Sequence, residues 1–151
     1  MISYDQYIQF SPYFAQLDID KAEDRAEFLK LFETLPKTVR ELLVSMETAE
    51  KIINIGKTFM LDEFDTEALS FAVRKILTGE VFIGDGAEFI ASEAGLPPER
   101  ARNLISLMVN EIFPPALEDI KKIQTAKFPG RFGVSAQTVN PNVINLRNRQ
   151  N

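Results

Sequence analysis

The chain has no cysteine and no histidine, and these two absences exclude more chemistry than any motif in it suggests. Without cysteine there are no disulfides, thiolate metal sites or thiol nucleophiles. Without histidine, the chain lacks the side chain that titrates near neutrality and serves most often as general base and metal ligand. Serine–histidine triads, zinc sites and facial-triad iron sites are therefore excluded, and any catalysis would fall to carboxylates, Lys, Tyr, Ser or Thr. Long apolar runs are also missing. No stretch approaches the roughly 18 residues that a spanning helix needs, so no membrane is expected. The N-terminal MISYDQYIQF lacks the basic region and apolar run of a secretory leader, which points to a cytoplasmic protein.

Acidic residues run out before the chain does. All 22 lie at or before Asp119, whereas six of the 17 basic residues, Lys121, Lys122, Lys127, Arg131, Arg147 and Arg149, come after it. Residues 1–119 therefore carry a formal charge of −11 and residues 120–151 a charge of +6. An acidic body with a cationic end is the strongest asymmetry in the sequence.

A chain of 151 residues is the size of one domain, which buries roughly 68–70% of its unfolded surface. Apolar residues recur with helical period nearly throughout. Ala22, Ala26, Leu29 and Phe32 form one stripe, and Val39, Leu42, Leu43 and Met46 a second. Ser45 is a suitable N-cap for a helix through Ala49, Ile52, Ile53, Gly56, Phe59 and Met60. Asp65 is read as the cap of the next, through Ala68, Leu69, Ala72, Val73, Ile76 and Leu77, with Gly79 as its left-handed stop. Asp85 and Glu88 have capping-box spacing, Gly95 ends that short helix, and Pro98 opens another through Ala101, Leu104, Ile105, Met108, Val109 and Ile112. Pro114 and Pro115 interrupt it, and Leu117, Ile120 and Ile123 line the last. Strand signals are confined to VFI at 81–83, too short to carry a sheet. The expected fold class is all-α: a six- to seven-helix bundle over 18–127, an aromatic-rich N-terminal arm at 1–17 and an irregular extended C-terminal tail at 128–151.

Candidate chemical motifs fail on inspection. DIDKAED begins like a calcium loop at Asp18, but its sixth position is Glu23 instead of Gly and its twelfth is Leu29 instead of Glu. Asp62, Glu63, Asp65 and Glu67 invite a magnesium reading, yet no phosphate-cradling loop stands nearby, and carboxylates are also favoured at a helix N-terminus. GDG at 84–86 is a lone glycine pair. No cofactor is expected, and a carboxylate-dependent metal enzyme is retained only as the weakest alternative.

The two ends carry the functional expectation. The arm holds Tyr4, Tyr7, Phe10, Tyr13 and Phe14, at a spacing that aligns several rings on one side of a short helix. Aromatic rings are frequent interface anchors, although the simpler expectation is that the arm folds back over the bundle. The tail, FPGRFGVSAQTVNPNVINLRNRQN, mixes cations with apolar groups that each gain roughly 1.5–3 kcal/mol on burial, so it calls for a surface, which its own acidic bundle could supply before a partner does. Tyr4, Tyr7, Phe10, Phe128, Arg131, Phe132, Arg147 and Arg149 are the candidate partner-binding residues. They describe a non-catalytic subunit or adaptor that meets a protein partner or a second copy of itself. The alternative is a ribosome- or RNA-associated factor whose tail meets phosphate.

TAEKIINIG, ILTGEVFIGDGAEFIASEAGLPPERA and LMVNEIFPP, within residues 46–123, resemble segments of uncharacterised helical proteins from ultrasmall bacteria of the candidate phyla radiation. The resemblance implies a bacterial source and a helical domain, and no function.

Overall fold

In the computed structural model, residues 1–18 and 20–131 are described. All regular structure among them is helical. The elements are α1 (Tyr4–Phe10), α2 (Ala22–Glu33), α3 (Lys37–Val44), α4 (Met46–Thr58), α5 (Glu63–Leu77), α6 (Gly86–Ala94), α7 (Pro98–Glu111) and α8 (Leu117–Lys127). Short 3-10 turns lie at Pro12–Phe14, Ile83–Asp85 and Pro114–Ala116. Seven of these α-helices fall in the segment expected to form the bundle, and α1 is an additional one within the arm.

Local chemistry sets the boundaries. Ser45 Oγ accepts the Glu47 and Thr48 amides at 3.0 and 3.4 Å, which starts α4. Gly79 and Gly95 end α5 and α6 at φ +78° and +66°, a region costly for other residues. Two expected caps differ. Asp62, not Asp65, caps α5 by accepting the Asp65 amide at 2.8 Å. Asp85 makes no side-chain cap for α6, because its carboxylate is taken elsewhere, as described below.

α5 is the centre of the fold. Ala68, Leu69, Ala72, Val73, Ile76 and Leu77 are all buried, forming the expected face. Around them pack Val39 and Leu43 of α3, Ile52 and Ile55 of α4, Ile90 of α6, Leu104 and Met108 of α7, and Ile120 of α8. Gly56 lets α4 approach α5 closely, since a Cβ there would lie 2.5 Å from Thr66 Oγ1. Met60 is not part of the α4 face: the helix stops at Thr58, and Met60 turns outward at φ +56° and 88% exposure. Met46 is likewise exposed, leaving Val39, Leu42 and Leu43 to bury α3.

The arm folds back onto the bundle. Ser3 and Gln6 form a reciprocal capping box at 3.0 and 3.1 Å that starts α1. Ser70 Oγ donates to Phe10 O at 2.7 Å, and Ser11 Oγ donates to Leu43 O at 3.0 Å. α2 then docks through two rings, of which Phe32 belongs to the face expected for it and Phe28 does not. Phe28 is its buried residue, whereas Ala22, Ala26 and Leu29 are exposed. Tyr13 meets Phe28 and Phe32 edge-on at 4.9 and 5.1 Å, and Arg74 lies 4.8 Å over the Phe28 ring. These aromatic contacts select the buried face, overriding the aliphatic stripe.

Candidate docking site at the end of α8

The connection from α5 to α6 is held by one side chain of α8. Gln124, fully buried, donates from Nε2 to Ile76 O and Val81 O at 3.1 Å each and accepts the Ile83 amide on Oε1 at 2.8 Å. This fixes the backbone on both sides of Phe82, whose ring is buried. Just past the end of α8, the Phe128 ring meets Phe82 edge-on at 5.4 Å.

The chain then turns instead of extending. The Arg131 amide donates to Phe128 O at 3.1 Å, and residues 129–131 have helical backbone, with Pro129 at its start, where a missing N–H is tolerated. The extended tail expected from residue 128 therefore does not begin there. The turn delivers the Arg131 guanidinium to Asp85, where its two Nη groups donate to the two carboxylate oxygens at 2.7 and 2.8 Å. The same group lies 4.2 Å over the Phe82 ring. This two-pronged contact raises the Arg131 pKa further above its ordinary value. Both partners are about half exposed, so water screens the pair and its worth is small. Its main effect is geometric, because a planar fork on a carboxylate fixes direction as well as distance.

Beside this anchor lies a groove of about 400 Å³ lined by Glu80, Phe82, Asp85, Glu88, Phe89 and Phe128. Its floor is aromatic and its rim acidic. Glu80 is held by Lys75 Nζ at 2.8 Å and Thr78 Oγ1 at 2.7 Å. Burial alone would push its carboxyl up, but these donors and the charges of Lys75 and Arg74 outweigh burial and hold it below the usual carboxylate range. A depressed folded-state pKa contributes stability above the unfolded value, and that contribution is lost as pH falls through the folded one. Urea midpoints of the native chain should therefore fall between about pH 5 and about pH 3, and Glu80→Gln should shallow that limb. Identical acid limbs for the two would refute the assignment.

The other candidate residues are distributed differently. Phe10 is only 6% exposed against its own chain; as a partner anchor it is corrected to a core residue, since α1 folds onto α4 and α5. Tyr7 donates its hydroxyl to Val44 O and lies edge-on to Phe14 at 6.2 Å. Tyr4 remains 74% exposed. Phe132, Arg147 and Arg149 lie outside the described residues. Of the five candidates among the described residues, Phe128 and Arg131 meet on the same ring, that of Phe82. Phe82, Asp85 and Gln124 complete the site without a sequence signal for that role: VFI has the pattern of a short strand and Asp85 the spacing of a cap.

Among the described residues, no group of three or more acidic, Cys or His side chains could hold a metal ion. Asp62 is engaged as a cap, and Glu67 accepts Gln9 Nε2 at 2.7 Å. Burial, then the neighbouring Asp62 charge, raises the Asp65 pKa. No helix among the described residues is long and apolar enough to cross a membrane. Comparison with protein-family models, curated proteins and solved structures gives no match to this chain.

Proposed function

We propose that this chain is a non-catalytic helical subunit or adaptor of a larger protein assembly, with the bundle as a rigid platform and the C-terminal segment as the main contact. One observation carries this reading: an acid-free segment with cations and several large apolar residues leaves an acidic body at a point where Arg131 is fixed to Asp85. Such a segment gains both from apolar burial and from an acidic partner. Tyr4, the exposed aromatic of α1, is the remaining contact candidate of the arm. The test is recovery of bound proteins by the full chain and by a chain ending at Arg131. The expected result is loss of a specific partner on truncation, and identical partner sets would refute the reading.

The six basic residues beyond Asp119 favour one alternative, an RNA- or ribosome-associated factor. Phosphate contacts release counterions, so affinity for RNA would fall steeply with salt. Titration with a generic RNA at low and high salt decides between them, and no binding at low salt removes the alternative.

A further inference from the structure

We propose that the turn between α4 and α5 is a separate docking surface, which holds a basic amphipathic segment of a partner protein on Met60 and Phe64. The inference goes beyond the proposed function, because it uses residues remote in sequence from the C-terminal contact and does not depend on it.

Local geometry singles out Met60. The Leu61 amide donates to Gly56 O at 2.8 Å and the Met60 amide to Lys57 O at 3.1 Å, the two bonds of a helix end whose left-handed position is ordinarily glycine. Here that position holds Met60, at φ +56° and 88% exposed. Phe59 and Leu61 on either side pack against the core, so the turn closes without help from the Met60 side chain. A large apolar group thus occupies a strained backbone position and buries little against its own chain, and strain of this kind clusters at binding sites. Phe64, in the first turn of α5, is 70% exposed. The four residues from Met60 to Phe64 span at most about 13–14 Å, so a helix of about 14 residues, about 21 Å long, reaches both. An aromatic ring and an adaptable thioether are suited to gripping the apolar face of such a helix.

Charge selects the occupant. Asp62, Glu63 and Asp65 flank Phe64 in sequence, and none of them is in an ion pair among the described residues. Arg100 is turned to Phe59, donating to its carbonyl, which leaves Lys57 as the exposed cation at the end of α4. Burial, then the like charge of Asp62, raises the Asp65 pKa, and no cation of the chain counters them. A cationic segment gains from these carboxylates. A second copy would bring an acidic body against them, and RNA would bring phosphate, both repulsive.

The probe is a labelled synthetic helix of leucine and lysine in helical period, titrated into the full chain by fluorescence anisotropy and mapped by amide NMR shifts. Binding should shift the signals of residues 57–68. Met60→Gly and Phe64→Ala should each weaken it about tenfold or more, as removal of an anchor does. Met60→Gly should at the same time raise the melting temperature by about 2–4 °C, because glycine accepts the left-handed position without strain; a residue needed only for the fold would lower it. Glu63→Gln combined with Asp65→Asn should weaken binding at low salt and matter little at high salt. The proposal is overturned if the probe does not bind, if its shifts centre on another surface, or if both apolar variants bind as the native chain does. Equal binding of a counterpart peptide with Glu in place of Lys also overturns it. Sedimentation showing a dimer of the native chain that Phe64→Ala abolishes would overturn it in favour of a second copy. A chain ending at Arg131 keeps this turn, so loss of a partner on that truncation and loss of the probe in these variants are separate results.

Discussion

Replacing Gln124 with Leu should destabilise the fold by about 2–5 kcal/mol, although the two side chains are similar in size. The cost comes from the groups left behind. Gln124 is fully buried and serves three backbone partners, Ile76 O, Val81 O and the Ile83 amide. Ile76 O keeps a second donor, the Gly79 amide at 3.1 Å, so it loses little. Val81 O and the Ile83 N–H would lose the amide that serves them at a packed junction, where each unsatisfied polar group costs about 1–3 kcal/mol. At about 2–4 °C per kcal/mol for a chain of this length, the melting temperature should drop by roughly 5–15 °C. Urea unfolding should show a lower midpoint at unchanged slope, and hydrogen exchange at Ile83 should accelerate. A Leu variant within about 1 kcal/mol of the native chain would mean that the junction relaxes to find other partners. It would remove Gln124 as the organiser of the Phe82 floor.

Arg74→Ala should cost about 3 kcal/mol, by combining truncation in a packed site with loss of a buried donor. Arg74 is 9% exposed on the central helix. Its Nη1 donates to Ala15 O, and its guanidinium lies 4.8 Å over Phe28 and 5.3 Å over Phe71. One side chain thus joins α5 to the arm and to α2. Burial lowers its pKa, with the charge of Glu80 acting in the opposite direction. Keeping a cation there has a desolvation cost, and a well-packed apolar replacement often performs as well as a buried charge. Arg74→Met should therefore recover more than half of the loss seen with Ala. Limited proteolysis within residues 15–24 should separate the variants, fast for Ala and close to native for Met. Equal resistance in all three proteins would show that α1 and α2 do not depend on this side chain.

These two residues mark where sequence reading stops. Helical period exposed the α5 face completely because that face is aliphatic and continuous. Ser45, Gly79, Gly95 and Pro98 were legible because capping and left-handed geometry are local. Gln124 and Arg74 were not, since a polar residue on an apolar helix edge reads as solvated until its partners are known, and those partners lie 41 to 59 residues away. α2 was misread for a related reason: Phe28 outweighs Ala22, Ala26 and Leu29 once Tyr13 and Arg74 are placed beside it. Asp85 had the spacing of a cap, but Arg131, 46 positions later, takes both its oxygens. At the candidate site, sequence alone marked Phe128 and Arg131 and missed the surface they rest on.

The succession of neighbours around α5 bears on how the chain acquires its shape. α4 packs on α5, α5 on α6 and α6 on α7, so the innermost layers form between segments close in sequence, with little loop-closure entropy to overcome. α1 and α8 reach back across much longer separations. The central hairpins should assemble first and rapidly, with the two terminal helices annealing onto them afterwards, so a ribosome would release a largely formed nucleus before the cationic end had left its exit tunnel.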